Sequence, residues 1–159
     1  MKTSMPRWVA TVAPGALVGM LAVCGSAQAA GGGAQEDERA RALEVRMHNA
    51  TGCRLTRTDY GLTSGEFVAR PPAYLDKGQD GLFKARSREG SLRGVAGRVA
   101  YTADHCDASW RDGHTVRLTF GVTYGGMNSF NSDGGGAFGT RLSGGSGNQA
   151  VLSWGVSRF

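Results

Sequence analysis

From Leu43 to Val156 apolar residues return at every second position over short runs, and turn residues separate the runs. A period of two is the mark of a strand with one buried face, because successive side chains on a strand point to opposite sides. Leu43, Val45 and Met47 share a face opposite Glu44, Arg46 and His48, up to a turn at Asn49-Ala50-Thr51-Gly52. Cys53, Leu55 and Arg57 then alternate with Arg54, Thr56 and Thr58. A short run from Gly65 stops at Pro71-Pro72, and Asp80-Gly81 opens another at Leu82 to Arg86. Val95, Gly97, Val99 and Tyr101 share one face. Val116, Leu118, Phe120 and Val122 form the strongest strand pattern, and Leu152, Trp154 and Val156 the last, with Trp154 expected in the core. No amphipathic helix pattern competes. Short strands with turn signals about every ten residues predict an all-β antiparallel β-sandwich or barrel over residues 42–159.

The N-terminus reads differently. Lys2 and Arg7 precede an apolar stretch from Trp8 to Cys24, and small residues end in Ala27-Gln28-Ala29. This is the pattern of a secretory signal peptide over residues 1–29, cut after Ala29. Pro14 and Gly15 interrupt a stretch already short for a bilayer. A lipoprotein reading, with Cys24 acylated, competes, but Val23 replaces the small residue expected before that cysteine. Residues 30–41, AGGGAQEDERAR, read as a flexible polar leader. The mature chain is then 159 − 29 = 130 residues, enough for one domain.

Charge excludes one class. The signal carries two of the 18 basic residues and no acidic one, so the mature balance is 16 − 13 = +3, with no basic block. That does not describe a nucleic-acid binder. Cys53 and Cys106 are the two cysteines left, an even pair in an exported chain, and a disulfide is expected. A metal site of Cys106 with His105, His114 and Asp107 or Asp112 is the rival. Its spacing matches no compact zinc pattern and leaves Cys53 unexplained.

Catalytic signatures are missing. No serine lies in a G-x-S-x-G elbow to meet His48, His105 or His114, and both cysteines are assigned to the disulfide. Glu44, Glu66, Glu89 and the aspartates fall mostly in turns and on a solvent-facing strand, not as a facing pair. The sequence calls for no catalytic residue, metal or cofactor. Aromatic residues say more. The segment from Phe120 to Phe130 holds three aromatics and three glycines, and a loop of that composition either shows Tyr124 and Phe130 to solvent or folds them back. Exposed rings on a secreted sandwich suit a membrane interface. Trp110, between His105 and His114 beside Arg111 and Asp112, is the third candidate. Loop aromatics serve a carbohydrate- or protein-binding module equally well, and that reading stays open.

Five segments in order resemble the aegerolysin family of small secreted cytolysins and its bacterial insecticidal-crystal-protein relatives. They are the first strand with Asn49-Ala-Thr-Gly52; Gly65-Glu66-Phe67 with Pro71-Pro72; Lys77-Gly78 to Gly81-Leu-Phe83; Gly94-Val-Ala-Gly97-Arg-Val99-Ala-Tyr101; and Phe120 to Phe130. They span most of residues 43–156. The chain departs from the family pattern at Phe67, Phe120 and Thr123, where the family carries Trp, Trp and Pro. The resemblance implies an actinoporin-like β-sandwich without an enzymatic step. It also implies binding to membrane lipids, sphingolipid-type headgroups among them, with lysis alone or beside a larger pore-forming partner.

Overall fold

In the computed structural model the described residues are 40–159; the predicted signal peptide and all but the last two residues of the predicted leader lie outside them. Ten strands form two five-stranded sheets. β1 (Ala42–Ala50), β3 (Glu66–Ala69), β5 (Asp80–Arg86), β9 (Phe138–Gly144) and β10 (Gln149–Arg158) make the first sheet, in the order β3-β5-β1-β10-β9. β2 (Arg54–Ser64), β4 (Tyr74–Leu75), β6 (Val95–Asp104), β7 (Thr115–Val122) and β8 (Ser129–Asp133) make the second, in the order β4-β2-β6-β7-β8.

The period-two faces meet between the sheets. Leu43, Val45 and Met47 from β1 and Leu152, Trp154 and Val156 from β10 pack against Val99, Tyr101, Val116, Leu118 and Phe120 from the second sheet. The expected core placement of Trp154 holds. Its ring lies 6.3 Å from that of Tyr101. The Tyr101 hydroxyl donates to the Pro72 carbonyl at 3.0 Å, and burial drives its pKa far up, so it stays neutral. A second aromatic file crosses the core from Tyr60 through Phe67 and Phe83 to Phe120, each centroid 5.7–6.3 Å from the next. Such offset pairs stabilise beyond their buried area.

One pairing departs from a purely antiparallel sandwich. β1 and β10 run parallel, in register from Ala42↔Gln149 to Ala50↔Ser157; the other strand pairs are antiparallel. Arg57, expected on the core face of β2, is only half-buried. It keeps the core-side register, opposite Tyr101, just before a register shift that leads into Asp59 and Tyr60, and its guanidinium lies 4.0 Å from the Tyr60 ring and donates to the Pro71 carbonyl.

Asn49 is the buried polar hub of the β1–β2 turn. Its amide nitrogen donates to the carbonyls of Cys53, Leu75 and Asp76 at 2.9–3.0 Å, and its oxygen accepts from the backbone and hydroxyl of Thr51. Full satisfaction makes this burial tolerable. The Asn-Ala-Thr-Gly segment is therefore structural. Beside it Cys53 and Cys106 form the expected disulfide, closing a separation of 53 residues. The cross-link uses both sulfurs, so the rival metal reading loses its cysteine ligand. Closing a loop of that length stabilises by about 3–5 kcal/mol, chiefly by restricting the unfolded chain. The double substitution Cys53→Ala with Cys106→Ala is expected to lower unfolding free energy by about that amount in a urea titration. An unchanged midpoint would show that the cross-link stabilises nothing.

Candidate functional site: the glycine-rich loop end

The sandwich has two chemically different ends. At one end lie the β1–β2 turn, the β6–β7 loop and the β8–β9 turn. There the disulfide is joined by a Lys77–Asp107 ion pair at 2.5 Å, which holds the Asp107 carboxyl below its ordinary pKa, and the Asp112 carboxylate accepts from the Cys106 backbone at 3.0 Å. At the other end lie Arg41, the β5–β6 loop, the β7–β8 loop and the β9–β10 loop.

The second end holds a cleft of about 410 Å³ lined by Arg41, Tyr124, Met127, Asn128, Phe130 and the Gly144–Asn148 segment. Each wall has a cause. Asn128 joins two loops: its amide nitrogen donates to the carbonyls of Gly145 at 2.8 Å and Gly147 at 2.9 Å, and its oxygen accepts from the Thr123 backbone at 3.3 Å. Gly145 sits at φ +85°, and a Cβ there would lie 2.4 Å from the Phe130 ring, so only glycine lets that loop cross the ring. Arg41 straps the third side. Its guanidinium donates to the carbonyls of Thr123 at 3.0 Å and Tyr124 at 3.2 Å and lies 4.3 Å from the Tyr124 centroid. Met127 stands at the rim, 93% exposed, and Leu92 on the β5–β6 loop is 77% exposed. Arg88 and Arg93 flank Leu92 and are exposed.

The structure brings Tyr124 and Phe130 together and separates both from Trp110. Tyr124 is half-buried. Phe130 lies on β8 directly opposite Phe120, so its ring shares the core-facing side and packs partly against the core. Trp110 is 60% exposed in a single 3-10 turn, Ser109–Arg111, with Arg111 stacked on it at 4.7 Å. It belongs to the cross-linked end. Seven register steps separate Thr102↔Thr115 from Val95↔Val122, roughly 23 Å of strand. The three aromatics therefore do not form one patch. Met127, Leu92 and Asn128 are the residues that sequence reasoning passed over. The Gly-rich context pointed at the loop, but nothing local marked Met127 as its tip.

Among the described residues, the histidine rings meet carboxylates or a carbonyl rather than a serine: His48 with Asp80, His105 with Asp104, and His114 with the Gly135 carbonyl. Glu44 and Glu66 are taken up in ion pairs with Lys84, Arg46 and Arg86.

Asn128→Ala removes three hydrogen bonds that hold two loops together. We expect a loss of about 1–3 kcal/mol and faster amide exchange over residues 123–128 and 145–148. Unaltered exchange there would mean that the loops hold their shape without Asn128.

No protein-family model matches the sequence, and no curated protein matches it at the sequence level. Solved structures do match in three dimensions. IP-1A from Alcaligenes faecalis superposes with a TM-score of 0.58 at 11% identity, covering 78% of this chain and 96% of its own. RahU protein, solved in complex with a TRIS molecule, gives 0.56 at 12% identity over 75% and 96%. The lipid-binding protein Nakanori gives 0.56 at 16% identity over 74% and 71%. These three are members of the aegerolysin family. At such identities the likeness speaks for architecture, and the architecture agrees with the sequence motifs: this chain carries the aegerolysin-type β-sandwich.

Proposed function

We propose that this protein binds membrane lipids through its glycine-rich loop end and does so without an enzymatic step. The observation that carries the reading is the exposed Met127 beside Tyr124, at the rim of a glycine-lined cleft. A flexible apolar tip and an amphipathic ring suit insertion at headgroup depth. The cleft behind them, lined by the glycine-rich backbone, Tyr124 and the Phe130 ring, suits a headgroup of the sphingolipid type. Arg88 and Arg93 flank exposed Leu92 on the neighbouring loop and add attraction to an anionic surface, about 1 kcal/mol each. The fold supports the reading, since a lipid-binding protein shares it. Trp110, at the other end, lies outside this contact. Secretion fits the disulfide, which persists in an oxidising compartment. Lysis, alone or with a larger pore-forming partner, is the finest part of the proposal, and dye release separates it from binding.

Sedimentation with vesicles of sphingomyelin and cholesterol, of phosphatidylcholine and of phosphatidylglycerol tests it. Burying a methionine-sized side chain contributes about 1.5–3 kcal/mol. Tyr124→Ala with Met127→Ser is therefore expected to weaken binding at least about tenfold with the fold intact, while Trp110→Ala leaves it unchanged. Phe130→Ala is expected to lower stability as well as binding, because its ring is half in the core. Full vesicle binding by the folded Tyr124/Met127 variant, or its loss in Trp110→Ala, would move the membrane face to another surface.

A further inference from the structure

We propose that the outer face of the first sheet carries a separate binding site for an acidic saccharide, a hydroxylated ring bearing one carboxylate or sulfate. This site is independent of the lipid reading and lies on the side of the sandwich, not at its loop end.

The register builds it. His48 on β1, Gly155 on β10 and Arg141 on β9 stand in one row across three neighbouring strands, and Arg46, Ser153 and Ser143 stand in the next. Gly155 has no side chain, and a Cβ added there would meet nothing within 4 Å. The missing side chain leaves a trough between His48 and Arg141, whose backbones are two strand spacings apart, roughly 10 Å. The groove along these rows has a volume of about 670 Å³, within the usual range for small-molecule clefts of about 300–1,000 Å³.

The lining chemistry selects the ligand. Both carboxylates at the groove are already engaged. Glu44 accepts from Arg46 Nε and Lys84 Nζ, each at 2.8 Å, and the Asp80 carboxylate bonds His48 Nδ1 at 2.7 Å. Glu44 is held below the ordinary carboxylate range by Lys84 and then Arg46, so it stays ionised and keeps both cations in place. The Arg141 guanidinium has no ion-pair or hydrogen-bond partner among the described residues, and neither do the hydroxyls of Ser143 and Ser153. The groove wall itself carries two cations (Arg46, Arg141) and two carboxylates (Glu44, Asp80), and Lys84, bonded to Glu44 from outside the lining, adds a third cation nearby. An unpaired guanidinium is a two-pronged donor shaped for an oxyanion. Two serine hydroxyls and the remaining donors of Arg46 match ring hydroxyls, and Leu82, 44% exposed beside Arg46, offers an apolar surface to ring C–H groups. Strands rather than loops hold all of these groups, so little ordering is needed on binding.

The test follows backbone amide NMR shifts of the full chain titrated with D-glucuronate, D-glucose 6-sulfate, D-glucose and sodium sulfate. Both acidic sugars are expected to shift Ser143, Ser153 and Gly155 saturably, with D-glucose and free sulfate much weaker. Arg141→Ala is expected to weaken binding about tenfold. Gly155→Val, which fills the trough where there is open space on a strand, is expected to abolish it. Both variants should sediment with vesicles as the parent does, which keeps this proposal separable from the lipid reading. No saturable shift with either acidic sugar, free sulfate binding as tightly as the sugars, or binding that survives both substitutions overturns it.

Discussion

The parallel pairing of β1 with β10 is the constraint on which the rest of the sandwich depends. It places the first and last strands side by side in the interior of the first sheet, bonding residues 149 − 42 = 107 positions apart. Because the strands run the same way, both begin at the same end. That brings Arg41, just before β1, beside the β9–β10 loop just before β10, with the β7–β8 loop close enough for Arg41 to bond it. The candidate cleft is a product of this one pairing. The outer groove is another product, since its rows run across β1, β10 and β9. Closing so long a loop before any contact rewards it is slow. Part of the offset comes from the core faces of Leu43 to Met47 and Leu152 to Val156, which meet only when the two strands pair.

The two ends differ in how firmly they are held. The end with Cys53, Asn49, Asp107 and Asp112 is covalently closed and densely hydrogen-bonded. The opposite end is glycine-rich and held by a few bonds centred on Asn128 and Arg41. A rigid scaffold presenting adaptable loops is the usual arrangement for binding. Met127 and Leu92, the most exposed apolar side chains there, are costly for a chain that meets only water. They make sense if that end meets a lipid surface.

Much of the fold was legible because β1, β6, β7 and β10 each carry a long run of alternation with one buried face. β8, with Ser129-Phe-Asn-Ser-Asp133, and β9, rich in glycine and polar residues, were not legible. They are edge strands whose inward positions are mostly half-buried and partly polar, as at Ser132 and Thr140, so no apolar period shows in their sequences. The parallel β1–β10 pair was not legible either, since register between distant segments leaves no local trace. The site was half legible. The loop from Phe120 to Phe130 stood out by composition, but Phe130 proved to face the core side opposite Phe120. The grouping of Trp110 with Tyr124 failed for a reason the sequence did contain. Trp110 precedes and Tyr124 follows one strand, Thr115–Val122, and a single strand delivers its two flanking loops to opposite ends.

The central claim is that one end of the sandwich, and not the other, meets the membrane. Hydrogen exchange of the full chain, free and bound to sphingomyelin–cholesterol vesicles, measures this most directly. The account predicts slowed exchange confined to residues 88–93, 123–130 and 144–148, with residues 105–112 around Trp110 unchanged. Protection centred on residues 105–112, with the glycine-rich loops as open as in solution, would contradict it.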